Sequence, residues 1–277
     1  MNAANNSSSI LGRVIPVLLT IASLFGLYYL YQYLFGAKTG NKYDLITNNM
    51  SANIDPSKPI TITSDKLPSI FEGGEFTIST WVYINNWSYR AGFNKSIISI
   101  GGPNFDTLRI YLGGYQPSLN VRFQTTNPST VLSVTDKKTA SLDKATQNAT
   151  FNILQTDSTL IDSSQGCDLP EIGLQRWVNI TVAVNGRTVD VYYDGKLARS
   201  CVLPDMYKVD AGGYSANLLA YGGFGGQIST VSMYDAALNP EQVYKNYMAG
   251  PEPITNIGQW LASFFTPSVS STVTPTK

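Results

Sequence analysis

Histidine is absent from this chain of 277 residues. Its absence removes every Ser-His-Asp or Cys-His nucleophile, every His-ligated metal site and the commonest general base near neutral pH. Charge is scarce and balanced: 19 Lys+Arg stand against 19 Asp+Glu, and 14% of residues are charged where ~25% is usual. A chain of zero formal charge has no electrostatic footprint for gripping a phosphate backbone, which excludes nucleic acid as a partner. Cysteine occurs twice. What the chain does have is 23 Gly, 14 Pro, 11 Phe and 17 Tyr within 43% hydrophobic residues, enough for a real core and neither collagenous nor of low complexity.

The first forty residues divide into a polar N-terminus, 1–13, and an uncharged run, 14–35. At about 1.5 Å per helical residue, Val14 to Phe35 spans ~33 Å, enough for a ~30 Å hydrocarbon layer. Tyr28, Tyr29, Tyr31 and Tyr33 crowd its end, at the level where amphipathic rings favour headgroups, and Lys38 and Lys42 follow. A cleaved secretory signal would have a shorter apolar core and a small-x-small site, which Ala37-Lys38-Thr39-Gly40 is not. A soluble helix would keep a polar stripe. The run therefore predicts an uncleaved single-pass transmembrane helix with the lipid bilayer as partner, followed by a stalk over 36–57.

From there the period changes to two. Val178, Ile180, Val182 and Val184 share one face of a half-buried strand, with Asn179, Thr181 and Asn185 on the other. Asn185-Gly186 and Asp194-Gly195 supply positive-φ turns, so 178–185, 188–193 and 196–202 read as three antiparallel strands. Residues 75–84, 96–100, 108–112, 119–124, 217–221 and 226–234 give about six more, by the same alternation and the same Gly and Pro punctuation. About nine strands in series imply two packed antiparallel sheets. One short helix is predicted from Asn239 to Met248, with Asn239 as cap, Pro240 at its first position and Gly250-Pro251 as its stop. The Ser/Thr-rich stretch Asn127 to Ser164 reads as an elaborated loop with a strand at Val131 to Val134. Residues 251–277 read as an apolar patch (Trp260, Leu261, Phe264, Phe265) and a disordered tail from Pro267.

Several segments, in order, carry a family likeness: Phe76-Thr77-Ile78-Ser79-Thr80-Trp81-Val82, Leu174-Gln175-Arg176-Trp177-Val178, Asp190-Val191-Tyr192-Tyr193-Asp194-Gly195-Lys196-Leu197, and Gly225-Gly226-Gln227-Ile228 through Leu238 to the last helix. Together they resemble the laminin-G-like branch of the concanavalin-A-like sandwiches, over about 58–250. The stretch Cys167 to Cys201 looks like membrane-anchored versions from large nucleocytoplasmic DNA viruses. The resemblance implies an all-β, two-sheet antiparallel jelly roll, a fold that hosts lectins, adhesion modules, glycanases and structural domains, so function must be argued from a site. It also implies a virion or virion-membrane setting, with capsid or other neighbouring proteins as partners.

Glycanases of this fold resemble one another in a Glu-x-Asp-x-Glu strand that sets an acid and a nucleophile about 5 Å apart. No such pair occurs among Glu72, Glu75, Glu171, Glu241 and Glu252, which predicts a non-enzymatic protein. Cys167 and Cys201 bracket the strand series; a bridge between them would stabilise by roughly 4 kcal/mol, and two buried thiols in a reducing compartment are the alternative. The resemblance admits Ca2+ at the sandwich rim, for which Asp106, Asp205 and Asp210 are the loop candidates, with ordinary turn chemistry as the plainer reading. Glycan recognition needs aromatics in or near loops, and Trp87, Tyr89, Tyr111 and Tyr115 qualify, while Trp81 and Trp177 read as core. Sequons stand at Asn49, Asn86, Asn94, Asn148 and Asn179, with two more at Asn5 and Asn6. The expectation is a single-pass membrane protein displaying a sandwich that docks on neighbouring proteins, with a membrane-tethered lectin as the alternative.

Overall fold

The computed structural model describes residues 5–35, 40–126, 144–152, 154 and 166–251. The chain divides into two units, Met1–Thr39 and Gly40–Lys277. The first contains helix α1, Asn5–Phe35, 31 residues with Pro16 inside. Its described side chains, Val14–Leu30, are exposed on every face; Leu18 is 58% exposed, Leu24 66% and Tyr29 68%. Thr20 donates to the Val17 carbonyl at 2.8 Å, so this hydroxyl is satisfied by its own helix. Among the described residues no helix is long and apolar enough to cross a membrane.

The second unit is mostly β. Its strands are β1 (Lys42–Ile46), β2 (Met50–Asn53), β3 (Ile60–Thr63), β4 (Glu75–Asn86), β5 (Lys95–Gly101), β6 (Asp106–Leu112), β7 (Leu119–Phe123), β8 (Trp177–Asn185), β9 (Thr188–Tyr193), β10 (Lys196–Val202), β11 (Ser215–Leu218) and β12 (Gly223–Tyr234). Helices α2 (Lys144–Phe151) and α3 (Pro240–Met248) complete it. The larger sheet runs β1-β12-β4-β8-β9-β10 with β2 also on β12, and the smaller runs β3-β11-β5-β6-β7. Every pairing is antiparallel, and the two sheets make a sandwich.

The alternation seen in the sequence explains the core. Phe76, Ile78, Val82 and Ile84 of β4, and Val178, Ile180, Val182 and Val184 of β8, meet Ile98, Ile100, Leu108, Ile110 and Val121 of the smaller sheet in one buried cluster. At about 25 cal/mol per Å2 of apolar surface, burial of this kind is the main force holding two sheets together. The α3 cap forms as the sequence predicts: Asn239 accepts from Gln242 N at 2.9 Å, and Gln242 accepts from Asn239 N at 3.0 Å.

Two differences from the sequence reading have local causes. The expected stalk over 36–57 holds β1 and β2, whose short, half-exposed sequences lack clean alternation because their order comes from pairing with β12. The first hairpin turns at Gly186-Arg187 instead of Asn185-Gly186: Asn185 still pairs with Thr188, and Gly186 alone takes positive φ, 59°. At the second, both Asp194 and Gly195 take positive φ, 49° and 74°, as the expected turn requires. The strand expected at Val131 to Val134, the apolar patch at Trp260 to Phe265 and the tail lie outside the described residues.

Cys167 and Cys201 are joined, with Cα atoms 5.8 Å apart and a sequence separation of 34. Cys201 lies on β10, an edge of the larger sheet. Cys167 lies in the segment Gly166–Leu169, which pairs with β7, an edge of the smaller sheet, through Cys167 N to Val121 O at 3.0 Å and Leu169 N to Leu119 O at 2.9 Å. The bridge therefore ties the two sheets together at one open side. Reducing it should lower the unfolding free energy by roughly 3–4 kcal/mol, read as a shift of the denaturant midpoint with and without dithiothreitol.

Candidate functional site

The outer face of the larger sheet is set by the other half of each alternation. On β4, Thr77, Ser79, Trp81 and Tyr83 point away from the core, opposite Ala183, Thr181, Asn179 and Trp177 of β8. At one end α3 covers this face with a second apolar cluster of Ala183, Tyr192, Tyr234, Leu238 and Val243. Burial pushes the Tyr234 hydroxyl up to about 12, and Asn246 donates to it at 2.9 Å. Next along, Trp81 stacks on Tyr247 of α3, with centroids 5.5 Å apart and planes 18° apart. Gly195 lies against the same Tyr247 side chain; a Cβ there would meet the Tyr247 Cβ at 2.9 Å and its ring at 3.0 Å.

Beyond α3 the face opens. Tyr83 and Trp177 are cross-strand partners with centroids 5.6 Å apart, both half-buried. Trp177, Tyr83, Trp81, Tyr247 and the 48% exposed Tyr244 form an aromatic band across β8, β4 and α3. Polar groups flank it. Exposed Gln227 pairs with Tyr83 across β12 and accepts from Asn49 Nδ2 at 3.1 Å. Arg176 donates to Asp194 at 2.7 Å and to the Tyr193 hydroxyl at 2.8 Å, and its hydrogen bond to the Asp194 carboxylate is the main reason its guanidinium is held above its ordinary value. Gly226 is required beside Tyr83, since a Cβ at that position would collide with the Tyr83 carbonyl. Trp177 and Trp81 are thus not members of the inter-sheet core that the sequence suggested. The signal that could have placed them is their parity with Asn179 and Ser79, the polar positions of the same strands.

A second cluster occupies the rim formed by the β4–β5 loop. Lys95, the first residue of β5, is fully buried, with Nζ 4.0 Å above the Trp87 ring and 3.5 Å from the Phe93 carbonyl. Arg90, with φ 51°, lies over the Phe93 ring at 5.7 Å; its Nη2 is 3.5 Å from Asn152 Oδ1, and its buried Nε has no partner. Burial, with the Arg90 charge added, brings the Lys95 ammonium down to about 8. Gly92 N bonds Gly114 O at 3.2 Å, which brings the β6–β7 turn and its 48% exposed Tyr115 to the same rim.

The structure separates the predicted ligand aromatics. Trp87 is half-buried against the core under Lys95, and Tyr89 is fixed by its hydroxyl donating to Gly222 O at 2.9 Å. Tyr111 is 3% exposed and meets the Phe151 ring edge-on at 5.2 Å, so it offers no face to a ligand. The three aspartates do not converge on a cation. Asp106 is neutralised by Arg109 and Lys144. Asp210 accepts from Gly212 N, Asn104 N, Asn104 Nδ2 and Phe105 N; burial alone would raise its carboxyl, and these bonds outweigh it and hold the group low. Asp205 accepts from Met206 N in its own turn. Among the described residues no group of three or more metal-ligating side chains occurs. Of the described sequons, Asn94 and Asn179 are buried and Asn148 Oδ1 is held by Arg109 and Tyr221, whereas Asn49 and Asn86 are exposed.

No protein-family model matches this chain, and no curated protein matches it. Among solved structures it is similar to the botulinum neurotoxin type G receptor-binding domain, at 15% identity and TM-score 0.45, over 76% of this chain and 45% of that one. It is similar also to the botulinum neurotoxin serotype D ligand-binding domain in complex with N-acetylneuraminic acid, at 13% identity and TM-score 0.47, over 78% and 47%. The chain thus spans about half the length of these structures. Its functional reading rests on its own geometry.

Lys95 sets a pH dependence. Its folded value of about 8 lies below the ordinary 10.5, so the full cost of burying the charge is present below pH 8. Between those values the unfolded chain holds more protons, and this group's contribution to stability rises with pH. Lys95→Met should melt higher than the wild type at pH 7, and the gap should close by about pH 10; an unchanging gap across that range would show that the lysine does not titrate there.

Proposed function

We propose that this chain is a non-enzymatic, laminin-G-like sandwich tethered to a membrane, and that it binds glycans on the outer-face aromatic band. The observation that carries this is the half-exposed Tyr83–Trp177 pair, continued by Trp81, Tyr247 and Tyr244 and bordered by Gln227, Asn49, Arg176 and Asp194. The apolar face of a pyranose stacks on such rings, while amide, guanidinium and carboxylate groups read its hydroxyls. Rings held on strands lose little entropy on binding, which favours a sheet face over a loop.

The tether is α1. A stretch whose apolar side chains are exposed on every face needs cover, and the uncharged sequence continues past Leu30 to Phe35, which brings the run to the length of a bilayer span. The second reading is a protein scaffold, for example in a virion membrane. The exposed edge strand β10, with Leu197 52% and Val202 71% exposed, favours it, since an open edge is where another chain can add.

Glycan-array binding by the full chain in non-ionic micelles tests the first reading. Reproducible binding should weaken by about tenfold, ~1.4 kcal/mol, in Tyr83→Ala and in Trp177→Ala, with circular dichroism unchanged. Silence from a folded sample would remove the glycan reading and leave crosslinking of β10 as the next experiment.

A further inference from the structure

We infer that the β4–β5 rim is a binding site for an oxyanion, a carboxylate, sulfate or phosphate group, held between Arg90 and Lys95. The argument is one of missing counter-charge. Elsewhere in the described residues, the more deeply buried cations meet carboxylates: Arg109 and Lys144 share Asp106, and Arg122 meets Asp168, while half-buried Lys208 lies over the Phe105 ring. Lys95 is buried more completely than any of these and meets no carboxylate among the described residues. Its ammonium carries three donors, and the contacts it makes are one carbonyl at 3.5 Å and the face of Trp87.

Arg90 repeats the pattern. Its Nε is buried without a partner, and its contact with Asn152 is at the outer limit of a hydrogen bond. Phe93 links the two cations, with its ring under the guanidinium and its carbonyl facing Lys95. Arg90 also holds a left-handed backbone, φ 51°, which a non-glycine residue adopts at a cost. Two like charges drawn out of water beside each other destabilise the free protein, and the lowered Lys95 value expresses that. An oxyanion accepting from the partnerless Nε and the remaining ammonium donors removes the repulsion and fills the unmet hydrogen bonds. Arg90 is half-exposed, so the ligand enters from its side. This site is separate from the aromatic band and does not depend on it.

The test is thermal melting of the full chain in non-ionic micelles, titrated with sodium sulfate, sodium phosphate or sodium glucuronate at constant ionic strength made up with sodium chloride. At least one oxyanion should give a saturable rise in melting temperature, with half-saturation in the millimolar range typical of a small polar ligand. Which of the three binds best identifies the source as a sulfate ester, a phosphate or an acidic sugar. Arg90→Gln and Lys95→Met should each weaken the effect at least tenfold, whereas Trp177→Ala should leave it intact. Lys95→Met removes a buried charge and is expected to fold, which keeps the test decisive if Arg90→Gln does not. An equal, non-saturating rise in wild type and Lys95→Met would be general salting-out by an excluded anion and would overturn the proposal, as would no rise with any of the three.

Discussion

The two faces of β4 are the constraint on which the sandwich depends. Phe76, Ile78, Val82 and Ile84 close the core between the sheets, and on the alternate positions Trp81 and Tyr83 build the face that α3 and the aromatic band occupy. A slip of one residue in the pairing of β4 with β8 or β12 would exchange these sets, drawing Tyr83 inward and putting Phe76 in water. The register is therefore fixed by burial on both sides at once. Gly226 lets β12 approach the Tyr83 carbonyl where a side chain would collide, so the sheet can curve without losing that register.

Polar groups inside the fold are largely held in networks. On the outer face of the smaller sheet, Arg109, Asp106, Gln147 and Lys144 satisfy one another, and this network docks α2 on β6. On the larger sheet, Thr181 donates to Ser79 at 2.9 Å, and Ser229 and Thr230 both donate to the Pro251 carbonyl. Lys95 with Arg90 stands apart, a buried and a half-buried cation that meet no anion among the described residues. Stability alone does not favour such an arrangement, and in folded proteins departures of this kind concentrate at sites that bind something.

Much of the architecture was legible in the chain because strand periodicity is a local property. Nine of the strands follow from alternation and turn residues, and the α3 cap follows from Asn239-Pro240 and Gln242. β1, β2 and β3 were not legible, since four or five half-exposed residues carry too little pattern and are held by partners far away in sequence. The candidate site was less legible than the fold. Loop position suggested Trp87, Tyr89, Tyr111 and Tyr115 as ligand platforms, yet Tyr111 is covered by Phe151 and Trp87 by Lys95, whereas Trp177, which reads as core, faces outward.

By itself the sequence determined the classes of chemistry and the local geometry: without histidine or a carboxylate pair of glycanase spacing the usual catalytic groups are missing, and strict alternation with Asn, Asp and Gly turns commits the chain to antiparallel strands. Tertiary structure alone decided which rings see solvent, that Asp106 and Asp210 are held by groups of the protein, and that a lysine at the start of β5 is buried without an anion among the described residues. Backbone preference is set by each residue and its neighbours. Burial and charge pairing are set by whatever the folded chain brings within a few ångströms, and that is fixed only when the two sheets close.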